Sequence, residues 1–174
     1  MDSLLPPELL EAARKVVAAN LAIGRKVALA ESCTGGLVAA ALTEIPGSSD
    51  MLEASIVTYS NEAKLELLNV SLDLLETFGA VSIAVAWNMA QGALERTRAD
   101  VAVAITGIAG PGGGSASKPV GTVVFARAVR GADPQDVTAD KKEFGDIGRG
   151  GIRLQAALCA LELLMPEAPE PSAP

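Results

Sequence analysis

The chain has 174 residues, is 49% hydrophobic and 3% aromatic, and carries a formal net charge of −7, which fits one domain with a single core. An acidic balance with no lysine or arginine cluster and few stacking platforms argues against nucleic acid as a direct partner. With no histidine in the chain, Ser-His-Asp and Cys-His arrangements and histidine-ligated metals are excluded, so a base must be Lys, Asp, Glu or Tyr.

Residues 1–7 read as a short leader, 8–165 as the domain, and 166–174, with four prolines, as a disordered Pro-rich tail. From Glu8, apolar residues at helical spacing predict a helix that Gly24 stops. Lys26 to Ala30 is the first predicted strand, followed by a turn, Glu31-Ser32-Cys33-Thr34-Gly35-Gly36, and a helix to about Glu44. The two glycines are expected in the first helical turn, where they cost about 1 kcal/mol each against alanine. Such a sequence suits close approach of a ligand to the backbone, and a helix N-terminus favours an anion or oxyanion.

Glu53 to Tyr59 predicts a second strand, and Asn61 is the expected cap of a helix carrying Lys64. A short helix runs from about Ser71 to Gly79 and a longer one from Ser82 to Arg98. Asp100 to Thr106 is a near-continuous apolar strand, expected at the sheet centre with both faces covered. Gly121 to Val129 and Asp136 to Phe144 form a hairpin-like pair, the second an edge strand bearing Lys141, Lys142 and Glu143. A last helix spans about Gly148 to Met165. Helices alternating with strands, followed by a hairpin, predict a three-layer α/β/α sandwich on a mixed, mostly parallel sheet of five to six strands. No apolar run is long enough to span a membrane, and the N-terminus has no signal-peptide pattern, so a cytoplasmic protein without a membrane partner is expected.

Two loops follow predicted strand C-termini, where open α/β sheets gather ligands. The second, Thr106 to Gly114, has five glycines in nine residues, and its successive N–H groups suit phosphate. It is not a Walker A loop, because Lys118 stands between Ser117 and Pro119. Ser115-Ala116-Ser117-Lys118 has S-x-x-K spacing but runs into proline instead of opening a helix, so it is set aside. For a nucleophile the first loop offers Ser32, Cys33 or Thr34. A cysteine at a helix N-terminus would have a lowered pKa and act unaided, whereas a serine needs a base. Lys64 is the candidate base, against the bland alternative of a solvated helix charge. Holding it neutral near neutral pH takes about 4 kcal/mol, which burial can supply. Tyr59, the single tyrosine, is placed to relay the proton or orient Lys64. Cys159 falls on an apolar helix face and reads as core.

Five segments in series, Glu31 to Gly36, Val57 to Asn61 with Lys64, Gly79 to Ser82, Thr106 to Gly113 and Lys118 to Val123, resemble the C-terminal domain of the competence/damage-inducible protein A (CinA) family. Active members of that family are nicotinamide-nucleotide amidohydrolases, and this chain looks like the stand-alone form. The resemblance implies hydrolysis of the carboxamide of nicotinamide mononucleotide, a step of pyridine nucleotide salvage, without metal or cofactor. Ser32 would be the nucleophile and Tyr59 and Lys64 its activating partners. Cys33, Thr34, Gly35, Thr106, Gly107, Gly110, Gly112 and Gly113 would line the substrate site, with the Ser32 and Cys33 amides facing the oxyanion. Arg149 would take the place of the family's arginine before the last helix, after a two-residue insertion. Ile83 and Ala84 stand where the family commonly has acidic residues. The Ala-rich helices leave room for a homo-oligomer, a dimer or higher. The alternative is a non-catalytic module that binds or senses a pyridine nucleotide, which would need neither a nucleophile nor a desolvated base. A third reading keeps hydrolysis but assigns it to Cys33.

Overall fold

The structure is a computed structural model and describes residues 3–167, so most of the expected Pro-rich tail lies outside the described residues. The helices are α1 (Pro7–Ala22), α2 (Leu37–Thr43), α3 (Asn61–Leu68), α4 (Leu72–Phe78), α5 (Ile83–Arg96) and α6 (Gly148–Leu163). The strands are β1 (Val27–Glu31), β2 (Leu52–Val57), β3 (Val101–Gly107), β4 (Thr122–Val129) and β5 (Thr138–Glu143). Pro7 opens α1, at the last residue of the expected leader, where a missing N–H costs nothing. Among the described residues no helix is long and apolar enough to cross a membrane.

The five strands form one mixed sheet in the order β2-β1-β3-β4-β5, within the expected five to six. β1 pairs in parallel with β2 and β3, and β4 runs antiparallel to both β3 and β5. Four strands therefore share one direction and β4 opposes them. By neighbouring pairs the sheet is evenly divided, because the closing hairpin reverses the chain twice. β3 is central, buried from Val101 through Thr106, and β5 is the edge strand that its charged residues predict.

Two apolar layers sandwich the sheet. On one face Leu29, Val103, Ile105 and Phe125 meet α1, α2 and α6 through residues such as Leu9, Val38 and Ile152. On the other face the strands present Ala28, Ala30, Ala102, Ala104, Ala126 and Ala128 to α3, α4 and α5. Small side chains on that face let α5 settle close to the sheet. The approach of α5 to α3 is closer still. A Cβ on Gly92 would lie 2.0 Å from the Leu68 carbonyl oxygen, so only glycine fits there. This contact seats α3 beside the carboxyl ends of β1, β2 and β3.

Candidate active site

Ser32 follows the last residue of β1, and its N–H donates to the Ile105 carbonyl (2.9 Å). Alternation along β1 puts Ala28, Ala30 and then Ser32 on the face that α3 covers. Lys64 comes down from α3 onto the same spot, 1% exposed. Its Nζ lies 3.1 Å from Ser32 Oγ, 2.8 Å from the Thr58 carbonyl oxygen and 3.5 Å from that of Ser60. No carboxylate pairs with it among the described ion pairs. Desolvation by burial lowers the Lys64 pKa from 10.5, opposed only by Cys33. The solvated-charge alternative thus gives way to a buried amine. Uncharged, that amine donates to Thr58 and accepts from the Ser32 hydroxyl.

The turn after Ser32 differs from expectation. Gly35 and Gly36 do not lie in the first helical turn: they precede α2, at φ +59° and +93°. Their purpose is backbone conformation, which other residues adopt only with strain. The N-terminus of α2 is also not open to a ligand. The Glu31 carboxylate, wholly buried, accepts from the N–H groups of Gly36 (3.0 Å), Val38 (3.2 Å) and Ala39 (3.0 Å) and from Ser55 Oγ (3.1 Å). The Ser32 amide is spoken for by Ile105. The N–H groups of Cys33 and Thr34 donate to no other described residue. Of the expected Ser32/Cys33 amide pair, the Ser32 member is therefore engaged in the sheet, and the Cys33 member is left beside the Thr34 amide.

Cys33 is buried, and burial pushes its thiol up to about 11, the reverse of the lowered value expected at a helix start. The reason is that α2 begins four residues later and Glu31 already offsets its positive end. Tyr59 also departs from expectation. Its side chain is exposed, and its hydroxyl accepts from Arg149 (2.7 Å); it is not among the partners of Lys64. The helix cap is Ser60 instead of Asn61, its hydroxyl accepting from the Ala63 N–H (3.0 Å).

Arg149 also donates to the Gly110 carbonyl (2.7 Å), so it ties the glycine-rich loop to Tyr59. One turn on, Arg153 donates to the Thr34 carbonyl (2.9 Å) and passes close to Gly35. Of the two guanidinium groups of α6, Arg153 borders the Ser32 turn and Arg149 the glycine-rich loop. Within the loop the glycines divide by role. Added Cβ atoms would strike Val123 and the Thr122 carbonyl at Gly107, and Val120 at Gly110, whereas Gly112 faces open space and Gly113 needs φ +82°. The N–H groups of Gly112, Gly113 and Gly114 donate to no described residue. Thr106, fully covered, donates through its hydroxyl to the Ala80 carbonyl (2.9 Å), which anchors the Gly79–Ser82 segment beside the site. Lys118 is spent elsewhere, on the Phe78 carbonyl, consistent with setting aside its S-x-x-K spacing. Among the described residues no cluster of acidic or thiol groups could hold a metal ion.

A cavity of about 680 Å³ lies away from this centre, lined by Leu74, Phe78, Val81, Ile83, Trp87 and Lys118 among others. Neither Ser32 nor Lys64 borders it. Its lining is mostly apolar, and its serines, Ser82 and Ser117, bond to the Gly79 carbonyl and the Ser115 hydroxyl and to no lysine, so its size does not make it the reaction site.

What the fold and the site define together is an α/β/α domain with a buried serine–lysine pair at the carboxyl ends of its parallel strands. The chain belongs to the CinA C-terminal domain family, which it matches over residues 10–168. It is 52% identical over 153 residues to the nicotinamide-nucleotide amidohydrolase PncC of Enterobacter agglomerans, covering 88% of this chain and 91% of that one. A CinA-like protein of Mycobacterium avium is 53% identical over 148 residues, 84% of this chain and 34% of the relative. The chain thus spans about a third of the length of such CinA-like relatives. The crystal structure of the competence/damage inducible protein CihA from Agrobacterium tumefaciens superposes with a TM-score of 0.89 at 51% identity, covering 94% of this chain and 97% of that one.

Proposed function

We propose that this chain hydrolyses the carboxamide of nicotinamide mononucleotide, giving nicotinate mononucleotide and ammonia, with Ser32 as nucleophile and Lys64 as base. The carrying observation is the 3.1 Å contact between Ser32 Oγ and an almost fully buried Lys64 amine. The name of the Enterobacter agglomerans relative supplies the substrate class. Ser32 Oγ attacks the amide carbon as its proton passes to Lys64 Nζ. The carbonyl oxygen becomes an oxyanion, received by the unengaged Cys33 and Thr34 amides, a kind of contact worth about 3–4 kcal/mol per donor. Collapse breaks the C–N bond, Lys64 returns its proton to the departing nitrogen, and ammonia leaves an ester on Ser32. Water then attacks that ester as its proton passes to Lys64; the bond to Ser32 Oγ breaks, Lys64 returns the proton to that oxygen, and the acid is released. On this reading Arg149, held by Tyr59, and the unengaged Gly112–Gly114 amides would neutralise the phosphate, and Tyr59 would not relay a proton. No step requires a cofactor.

The sensor alternative has no use for a desolvated lysine against a serine, and the Cys33 alternative is disfavoured by a thiol raised to about 11. The test is ammonia release from nicotinamide mononucleotide by the wild type, Ser32→Ala and Lys64→Met. We expect losses on the order of 10⁴-fold for Ser32→Ala and about 10²- to 10⁴-fold for Lys64→Met, with Ser32→Ala still binding the nucleotide. Tight binding without turnover by the wild type would make this chain a sensor.

A further inference from the structure

Glu31 is the residue before the proposed nucleophile, and none of its surface reaches solvent. No cation pairs with it among the described ion pairs. Burying a carboxylate costs several kcal/mol unless it is well hydrogen-bonded. Here four donors satisfy it: the N–H groups of Gly36 at the N-cap and of Val38 and Ala39 in α2, and the Ser55 hydroxyl of β2. A simple helix cap needs none of this, because Ser, Asp or Asn at the N-cap serves from the surface. That solution is closed at this N-cap. Position 36 sits at φ +93°, where side-chain-bearing residues are strained, and its glycine has no capping group.

The consequence is a turn held at both ends by one residue. The Glu31 backbone is fixed in the sheet, its carbonyl accepting from the Thr58 N–H (2.9 Å). Its side chain reaches over the turn to fix the first residues of α2. Between the two anchors lie Ser32, Cys33 and Thr34, which carry the hydroxyl and the two unengaged amides. We propose that Glu31 is a positioning residue, whose buried carboxylate sets where Ser32 Oγ and the Cys33 and Thr34 amides stand relative to Lys64. The inference rests on Ser32 being the nucleophile. Ser55 supports the carboxylate from the neighbouring strand.

The test compares Glu31→Gln and Ser55→Ala with the wild type. Glutamine keeps the volume but turns an NH₂ toward two of the four donors, whichever oxygen it replaces, so the turn shifts without opening a cavity. On nicotinamide mononucleotide, Glu31→Gln should lower kcat on the order of 10²-fold, as small misplacements do, with KM nearly unchanged at a temperature where the variant is folded. Ser55→Ala should lower kcat a few-fold. A second readout needs no substrate. In a Ser32→Cys background, mass spectrometry follows alkylation of the new thiol by iodoacetamide, and Glu31→Gln should slow it. A lower Tm with wild-type kcat and unchanged alkylation would leave Glu31 a structural cap and overturn the proposal. If the wild type releases no ammonia, the proposed reaction fails while alkylation still decides the role of Glu31. If Glu31→Gln does not fold, Ser55→Ala decides: unchanged kcat and alkylation overturn the proposal.

Discussion

In the proposed reaction Lys64 serves as a base only while its amine is uncharged, so burial is what would give it that chemistry. Its pKa is lowered from 10.5 by desolvation, so the turnover rate should rise with pH through that lowered value and level off above it. Lys64→Arg, charged at any working pH, should lose this limb along with most activity in the same ammonia assay. Cys33 is the opposite case. With its thiol raised to about 11, it should resist iodoacetamide near pH 8, and Cys33→Ser should keep activity within about threefold, a change below 1 kcal/mol in the barrier. Activity that survives Ser32→Ala but not Cys33→Ser would reverse the assignment of the nucleophile.

The helices are placed by contacts that admit little adjustment, and the clearest is Gly92 on α5. A methyl group there would meet the Leu68 carbonyl at 2.0 Å, a backbone atom that no rotamer change can move aside. Overpacking of this kind costs about 1–3 kcal/mol or more, so Gly92→Ala should lower Tm by roughly 4–10 °C. Leu68 shares α3 with Lys64, so kcat should fall as well; a Tm drop with unchanged kcat would show that α3 tolerates the shift. On the other side of the site, α6 reaches the glycine-rich loop through Arg149. Losing one charge-assisted contact to substrate phosphate costs about 1.5–3 kcal/mol. Arg149→Ala should therefore raise KM about tenfold or more, with a smaller effect on kcat.

Across the whole molecule, two buried groups link stability to alkaline pH in opposite senses. Lys64 has a lower pKa folded than unfolded, so between the two values the unfolded chain binds more protons. Its contribution to stability is present toward pH 10.5 and is lost as pH falls through the folded value. Cys33 keeps its proton longer in the fold, so its contribution is present below 9.0 and lost as pH rises from there to about 11. Thermal melts across pH should show Lys64→Met gaining on the wild type most at the lower pH values, with the gain shrinking toward pH 10.5. Cys33→Ser should remove part of the decline above 9.0. A pH-independent difference between Lys64→Met and wild type would mean that Lys64 is not desolvated. At net charge −7 the molecule as a whole repels anions, so on the proposed reaction the arginines of α6 would have to act on the nucleotide locally.

The sequence by itself determined the order of helices and strands, the central place of β3, the charged edge strand and the two loops at strand ends, because apolar periodicity and glycine placement are local signals. The absence of histidine narrowed the base, and the motif series identified the family. Ser32 and Lys64 could be named together, but their contact goes with the close approach of α3 to α5 at Gly92, a long-range packing event that no window of sequence reports. The tertiary structure alone decided that Glu31 fills the α2 terminus, that Tyr59 turns to Arg149, and that Arg153 joins the site. It also decided that the Cys33 thiol is raised instead of lowered. An acid at the end of a strand and a repeated arginine on the last helix were the available signals, and neither says what it touches. Hydrogen-bond partners and desolvation are set by neighbours through space, and those neighbours come together only when the sheet and its two helical layers close.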